Sequence, residues 1–372
     1  MKNRDCDKQR IPNFDLLRVL AMLLIVVSHF FTHGLGGRNL NFPISLAGIF
    51  EHLLCEMISL FSSIAVDLYV LITGYFLIKA GVRWGKIIHI WVQTAFYSLV
   101  IYVFFSLYGV VNFDFNSLLR NLLVVRFGAV SDCAYWFVAQ YIGLVLLSPF
   151  INKLVNSLDA ERYRIFIIVL LILDFSALGI GYGSVFSGGQ TLFHFIVLYS
   201  IAGYIRMYVR VETIKQKCLI IYTLILLVLP CAIIKILEIY VHHDKSLRLH
   251  SIFNSYNGIP IVLAVLLFIT IAKMRLRHNF FVSLITRIAP YTFGVYLIHD
   301  NIYIRNRLWS YVISIYNITD DNIIMYSLLI PVAIFSICIL IDYIRKLMFN
   351  IIGVDPLLDK GLEKLRLKDF II

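Results

Sequence analysis

The segment from Asn13 to Gly34, NFDLLRVLAMLLIVVSHFFTHG, is apolar enough to lie in a membrane, yet it carries ionisable side chains towards both ends. Asp15 and Arg18 lie near its start, and His29 and His33 lie near its end. Ionisable groups are costly inside a bilayer, so each of them needs a structural or functional reason. They are therefore the first residues to consider for chemistry.

Arg18 and His29 are predicted to lie on one side of the same helix. Eleven residues separate them, which is close to three turns, so His29 lies about 16 Å further along nearly the same face. Histidine takes and returns a proton near neutral pH, whereas arginine stays cationic. We therefore expect a path along this helix, with a cation near one end and a base near the other. The alternatives are that Arg18 reaches lipid headgroups and that His29 is a neutral core residue.

The neighbours of this pair suggest two further interactions. Asp15 precedes Arg18 by three residues and can form an ion pair with it. His33 lies one turn beyond His29 on the predicted face, and two histidines at this spacing can bind a metal. No third ligand is close in sequence, so we expect no metal.

The composition predicts a multi-span membrane protein. The chain has 372 residues, of which 60% are hydrophobic and only 15% are charged. A soluble domain is about half apolar and about a quarter charged. About ten apolar runs are long enough to cross a hydrocarbon core of about 30 Å, which predicts an all-α polytopic bundle. Their approximate limits are 14–34, 50–78, 87–109, 136–152, 164–183, 190–209, 218–240, 257–273, 284–304 and 322–349.

The distribution of positive charge predicts which side of the membrane each loop occupies. With the N-terminus inside, 24 of the 33 Lys and Arg residues fall in cytoplasmic segments and 7 fall outside. Cytoplasmic loops carry the excess of Lys and Arg, so both termini are predicted to be cytoplasmic in a multi-pass cell-membrane protein. The net charge of +11 is then a topology signal, and no nucleic-acid partner is expected. The expected division is a transmembrane domain over 1–350 and an amphipathic cytoplasmic tail over 351–372.

The second predicted span, which includes AVDLYVLITGYFLIKAG, carries polar groups at its cytoplasmic half. Asp67 is expected to reach the level of Arg18, and Thr73 with the following glycine can loosen or break the helix. Three basic residues follow at the cytoplasmic mouth. They can form a phosphate site or serve only as a positive-inside loop. These residues are Lys79, Arg83 and Lys86.

Further polar and aromatic residues are predicted near the outer face. Trp136 suits an interfacial aromatic belt, and Gln140 lies one turn deeper, where it can bind a sugar. His194 is either a headgroup-level residue or a site residue, and Tyr296 and His299 share a face of the ninth span. The sequence assigns no role to Asp174 or Lys235. It also contains no nucleotide-binding P-loop and no GxSxG nucleophile motif, which disfavours ATP-driven transport and serine-hydrolase chemistry.

Several of these segments, taken in order, resemble the acyltransferase-3 family of integral membrane acyltransferases, which includes many bacterial O-acetyltransferases of surface polysaccharides. The resemblance extends from residue 14 to about residue 300. A threonine, Thr73, stands where the family usually has serine, which keeps the hydroxyl group. The matching segments are DLLRVLAMLLIVVSHF, AVDLYVLITGYFL, YWFVAQYIGLVLLSPFINKL, LFHFIVLYSIAGYIR, NSYNGIPIVLAVLLF and GVYLIHDNI.

The resemblance implies an acyl-CoA donor, most often acetyl-CoA, on the cytoplasmic side and a sugar hydroxyl as acceptor. His29 would be the essential histidine, as general base or transient acyl carrier, and Arg18 its companion. Asp67, Thr73 and the basic mouth would hold the donor. The acceptor would be a surface or lipid-linked glycan beside the outer polar residues, and glycan-assembly proteins are further partners to consider. The outer polar residues are His33, Trp136, Gln140, His194, Tyr296 and His299.

Two other functional classes stay open from the sequence. Polar residues inside a bundle also suit a transporter or flippase, with Arg18 and His29 lining a solute path. Such a protein usually shows inverted repeats and interrupted helices, and no internal repeat is visible here. A structural component of a glycan-synthesis complex is the third hypothesis.

Overall fold

The protein folds as a bundle of α-helices. The computed structural model describes residues 11–36, 46–81, 84–123, 135–176, 189–240, 258–277, 279–316, 318 and 322–364, and these contain no β-strand. The helices are α1 Pro12–His29, α2 Leu46–Ser63, α3 Ala65–Leu77, α4 Trp84–Leu107, α5 Phe115–Leu123, α6 Trp136–Asn156, α7 Ala160–Ser176, α8 Leu192–Tyr208, α9 Gln216–Tyr240, α10 Ile259–Ala272, α11 Phe280–Ile288, α12 Thr292–His299, α13 Ile302–Tyr316, α14 Ile323–Ile352 and α15 Val354–Lys364.

Most of the apolar segments predicted from the sequence are long helices. Seven helical stretches within the described residues are long and apolar enough to cross a membrane, and α8 and α10 are shorter apolar helices. Many large apolar side chains on these helices are exposed, as lipid-facing surfaces would be. The chain is therefore an all-α polytopic membrane protein, as predicted. The number of ten spans, the cytoplasmic termini and the division at residue 350 stay predictions.

Helix α1 lies at the centre of the bundle. It contacts α2, α3, α10, α11, α12 and α14. Pro12 occupies its first turn, where the missing N–H removes no hydrogen bond. The Asn13 side chain donates to the backbone oxygens of Ile271 at 2.7 Å and Met274 at 2.6 Å, which ties the start of α1 to the end of α10. Polar side chains on α1 can therefore face other helices rather than lipid.

The second predicted span is interrupted at a different place from the one expected. The chain stays helical through Thr73 and Gly74, and the break between α2 and α3 lies at Ile64. Gly74 serves close packing instead, because a Cβ atom there would lie 2.7 Å from the backbone oxygen of Tyr199 on α8. Small residues allow membrane helices to approach in this way. Thr73 and Gly74, which the sequence indicated could loosen or break the helix, do not break it.

The ninth predicted span, 284–304, also differs from the expectation of one helix. Residues Ala289–Tyr291 form a 3-10 turn between α11 and α12, and α12 ends at His299. The chain turns at Asp300 and Asn301, and α13 begins at Ile302. The side-chain oxygen of Asn301 accepts a hydrogen bond from the Tyr303 N–H at 3.0 Å, so Asn301 caps α13. The span therefore ends at His299, five residues earlier than predicted.

A buried ion pair and a tail helix complete the described bundle. Asp342 on α14 pairs with Arg345 at 2.7 Å and accepts a hydrogen bond from the Tyr97 hydroxyl of α4, also at 2.7 Å. A buried carboxylate requires such partners. A short helix, α15, follows Gly353, which has a positive φ of 79°. Residues 365–372 of the predicted tail lie outside the described residues.

Candidate active site

A cavity of about 280 Å³ lies at the end of α1 that the sequence predicts to be outside. It is bordered by polar groups from separate parts of the chain, so it can bind a polar molecule. Helix α1 continues past His29 as a π-helical turn over Phe30–Gly34, an arrangement often found at functional sites. The polar residues at the cavity are Ser28, His29, Thr32, His33, Ser62, Ser63, Gln190, Asp300 and Arg305, and Trp136 lies beside them.

The side chain of His29 is held by a second histidine from α12. His299 Nδ1 lies 2.6 Å from the carbonyl oxygen of Val295, which can only accept, so this nitrogen carries the proton. The other nitrogen of neutral His299, Nε2, is then an acceptor, and it lies 2.9 Å from Nδ1 of His29. His29 therefore donates from Nδ1 and carries its lone pair on Nε2. A histidine oriented in this way can act as a general base towards a molecule in the cavity.

A carboxylate stands beside this histidine pair. Asp300 Oδ1 lies 3.6 Å from Nδ1 of His29 and 4.0 Å from Nε2 of His33. The Asp300 side chain is 2% exposed, so water screens its charge little. It is placed to stabilise positive charge on His29 after that residue accepts a proton.

The turn that carries Asp300 is fixed by hydrogen bonds to the start of α6. The Asn301 amide donates to the Tyr135 hydroxyl at 2.7 Å, and that hydroxyl donates to the Leu297 carbonyl at 2.7 Å. All of these groups are buried. The sequence HDN at 299–301 thus supplies, in order, the partner of His29, the nearby carboxylate and the residue that holds the turn.

The same groups bear on the expectation that no metal is bound. The sequence near His29 and His33 offers no third metal ligand, but the fold brings Asp300 to them. Donor atoms of His29, His33 and Asp300 all lie within 4.8 Å of one another. Two histidines and a carboxylate are a ligand set that zinc accepts. Nδ1 of His29 already contacts His299, so Nε2 is the His29 atom with a lone pair to offer. The chemistry proposed below uses no metal.

Arg18 lies at the opposite end of α1 from this cavity. Its Nη1 pairs with Asp15 Oδ1 at 2.9 Å, as the sequence predicted. Its backbone oxygen accepts a hydrogen bond from the Tyr69 hydroxyl at 3.0 Å, which joins α1 to α3 at this level. Arg18 is not among the residues that line the cavity around His29. A path that connects the two stays a prediction.

Asp67 does not pair with Arg18 but belongs to a separate buried cluster. His194 Nε2 lies 3.3 Å from Asp67 Oδ1, and His194 Nδ1 lies 2.8 Å from Asp174 Oδ2. All three side chains are almost fully buried, and they connect α3, α8 and α7. An imidazole between two carboxylates compensates charges that would be costly alone. The cluster gives His194 and Asp174 partners that the sequence could not reveal.

The residues predicted for the donor site and Gln140 lie away from the cavity or outside the described residues. Thr73 donates to the Tyr69 carbonyl at 2.9 Å inside α3, and Lys79 and Lys86 are exposed beyond α3 and at the start of α4. Arg83 lies outside the described residues. Gln140 is half-buried on α6 and does not line the cavity.

Tyr296 does not line the cavity but packs against aromatic residues of and next to α6. Its ring centroid lies 5.8 Å from that of Tyr135 and 5.9 Å from that of Phe137. Trp136 and His33, by contrast, line the cavity as the prediction for acceptor-site residues requires. Of the residues predicted near the outer face, these two and His299 are the ones that the structure brings to His29.

Sequence reasoning missed several polar residues of the cavity, among them Asp300, Arg305 and Gln190. Asp300 lies within the quoted segment GVYLIHDNI, but nothing in its spacing linked it to α1. Arg305 was counted only among the charges outside the membrane, and Gln190 was only the first residue of the predicted span 190–209. An ionisable residue inside the predicted span 284–304 was the one signal that could have singled out Asp300.

The helices and the cavity define a polytopic membrane protein with a histidine-centred polar site. Residues 11–344 match the family model described as an acyltransferase domain, and the chain therefore belongs to the acyltransferase-3 family. The comparisons with curated proteins and with solved structures gave no match. Membership of this family makes the protein a membrane acyltransferase and favours that hypothesis over a transporter or an assembly component.

Proposed function

We propose that this protein transfers an acyl group, in the simplest case acetyl, from cytoplasmic acyl-CoA to a hydroxyl group of a surface or lipid-linked glycan at the cell membrane. The observation that carries the proposal is the hydrogen bond of 2.9 Å between His29 and His299 at the wall of a polar cavity. This contact leaves the second nitrogen of His29 as a base.

The proposed reaction is a direct acyl transfer. Nε2 of His29 accepts the proton of the acceptor hydroxyl while the hydroxyl oxygen forms a bond to the thioester carbonyl carbon. The carbon–sulfur bond breaks, and the departing CoA thiolate receives the proton from the His29 imidazolium. Asp300, 3.6 Å from Nδ1 of His29, stabilises the positive charge between these two steps.

The acyl donor is proposed to approach along α1 from the cytoplasmic end. Arg18, Lys79, Arg83 and Lys86 would bind the phosphate groups of CoA, because cationic side chains form strong hydrogen bonds with phosphate. Thr73 lies on the neighbouring helix α3, next to the Tyr69 contact with α1. Asp67 is left out of this donor site, because its carboxylate faces His194.

The acceptor is proposed to occupy the cavity beside Trp136 and His33. Its volume of about 280 Å³ is slightly below the range of about 300–1,000 Å³ typical of small-molecule sites. One sugar residue therefore fits this space better than an oligosaccharide does. An aromatic ring with amide and hydroxyl groups around it suits a sugar, which has apolar and polar faces.

Replacement of His29 tests the proposal directly. The purified full-length protein, reconstituted in lipid with acetyl-CoA and glycan from cells that lack it, is expected to release CoA and acetylate the glycan. His29→Ala is expected to lower kcat at least about 100-fold, the usual contribution of a general base. Mass spectrometry of the glycan measures the transferred acyl group.

The matched control is His89→Ala, which removes a histidine near the start of α4 whose partner is Asp359 at 3.3 Å. This variant is expected to retain wild-type kcat. Acetylation by His29→Ala at the wild-type rate, with the same amount of folded protein, would show that His29 is not the base.

A further inference from the structure

The geometry points to an anion-binding subsite at Arg305, next to His29, and to an acceptor glycan that carries a phosphate or carboxylate group near the hydroxyl that is acylated. This inference rests on the proposed function for the nature of the acceptor. It adds a charge requirement that neither family membership nor the role of His29 contains.

Arg305 lies in the first turn of α13 and lines the same cavity as His29, Trp136 and Gln190. A molecule bound at His29 therefore lies next to a guanidinium group. The Arg305 side chain is 30% exposed, so it is neither sealed in the core nor fully solvated. In such a setting a charge–charge contact with a ligand is weakened less than at an open surface.

Within the described residues, the Arg305 side chain makes one long hydrogen bond and has one buried N–H without a partner. Its Nη1 lies 3.4 Å from Asp300 Oδ1, longer than the roughly 2.7–2.9 Å of a strong charge-assisted hydrogen bond. Its Nε is buried and has no hydrogen-bond partner among the described residues. Guanidinium offers five N–H donors in a planar fork, and a buried donor without a partner is destabilising. An oxyanion in the cavity would give the Arg305 fork a closer partner than any that the described residues provide.

Asp300 is the obvious candidate to neutralise Arg305, but its carboxylate is shared. The same Oδ1 atom also lies 3.6 Å from His29 and 4.0 Å from His33. When His29 accepts a proton, Asp300 faces a second full positive charge. The cavity then holds more cationic than anionic groups, and an anionic acceptor restores the balance.

Arg307, two residues further along α13, has a guanidinium group whose contacts are made within the protein. Arg307 donates from Nη1 to the Tyr303 carbonyl at 2.8 Å, and its guanidinium lies 5.1 Å from the centre of the Phe105 ring. Arg307 does not line the cavity. Of these two arginines, Arg305 is the one that faces the acceptor space, and Arg307 provides a matched control.

Phosphate and carboxylate share the chemistry that Arg305 recognises. Both present two oxygens with a spacing that matches the guanidinium fork. A phosphate would come from a lipid-linked sugar, and a carboxylate would come from an acidic sugar residue. The two sources can be separated by chemical treatment of the acceptor.

The test uses the purified full-length protein in lipid, acetyl-CoA, and glycan extracted from cells that lack the protein. The glycan is used untreated, after mild acid hydrolysis of its sugar–phosphate bonds, or after methyl esterification of its carboxylates. For the wild type, one of the two treatments is expected to raise the acceptor KM about 10- to 100-fold, the usual effect of losing a charged hydrogen bond. The effective treatment identifies the anion.

Arg305→Gln is expected to raise the KM of the untreated acceptor by the same factor, with little change in kcat or in the KM of acetyl-CoA. The treatment that is effective for the wild type should not raise the acceptor KM of this variant further. Arg305→Lys keeps the positive charge but not the planar fork of donors. Its acceptor KM should lie between that of the wild type and that of Arg305→Gln. Arg307→Gln should behave as the wild type.

Two results would overturn the subsite. One is a wild-type acceptor KM that neither treatment changes. The other is an Arg305→Gln variant that loses kcat with every acceptor, which would place Arg305 at the reacting atoms instead. Failure of the proposed function appears separately, as acetylation that persists in His29→Ala.

Discussion

The chemistry proposed for His29 depends on which of its nitrogens carries the proton. His299 decides this, because its own Nδ1 is committed to the Val295 carbonyl at 2.6 Å and its Nε2 therefore accepts from His29. An orienting partner of this kind commonly sets the tautomer of a catalytic histidine. His299 is thus a positioning residue, since it does not line the acceptor cavity itself.

Replacing His299 by alanine is expected to lower kcat about 100-fold while the KM of acetyl-CoA stays unchanged. The reason is that His29 would lose its fixed tautomer, whereas the proposed donor site around Arg18 lies three helical turns away. Steady-state kinetics with varied acetyl-CoA measures both constants, and the thermal unfolding midpoint in detergent reports stability.

His299→Gln keeps a side chain that can donate and accept hydrogen bonds, and it is expected to recover part of the lost kcat. A purely structural role for His299 predicts a different pattern: a lower unfolding midpoint together with an unchanged kcat for the protein that remains folded. That pattern would contradict the positioning role.

At the scale of helices, the contact between α3 and α8 depends on one glycine. A Cβ atom at Gly74 would lie 2.7 Å from the Tyr199 carbonyl oxygen and 2.9 Å from Ala202 Cβ. The buried cluster of Asp67, His194 and Asp174 lies between the same helices and α7. Close backbone contact and polar pairing are the two ways in which membrane helices associate, because lipid provides little hydrophobic driving force between them.

Gly74→Ala is therefore expected to lower the free energy of unfolding by about 1–3 kcal/mol, the usual cost of overpacking. Differential scanning fluorimetry in detergent measures the shift in the unfolding midpoint. Gly361→Ala in α15 is the control, because nothing lies within 4 Å of a Cβ atom there. Equal midpoints for the two variants would show that α3 and α8 separate easily.

At the scale of the whole molecule, the charge distribution predicts that both termini are cytoplasmic. Of the 33 Lys and Arg residues, 24 lie in the segments assigned to that side. This orientation matters for the proposed function, because it places Arg18 on the side of the proposed acyl-CoA donor and the cavity on the other.

A reporter fused after the last residue tests this orientation. Green fluorescent protein at this position is expected to fluoresce, and alkaline phosphatase is expected to be inactive, because both would lie in the cytoplasm. Active phosphatase with dark fluorescent protein would invert the topology and remove the proposed route for the donor. Fusions in the segment before α2 provide the control for the opposite side.

The sequence by itself predicted the fold class and the positions of the ionisable residues along α1. Apolar runs of about 20 residues have few structures available in lipid, and helical periodicity places Arg18, His29 and His33 along one helix. The family also followed from the chain, because its motifs are short segments that keep their order. Each of these features is local or depends on order along the chain.

Only the tertiary structure decided what those residues contact. It placed His299 beside His29 across 270 positions and gave Asp67 to His194 instead of Arg18. It also brought Arg305 into the cavity. The physical reason is that a helix fixes the direction of its own side chains, whereas the partner of each side chain depends on how separate helices pack.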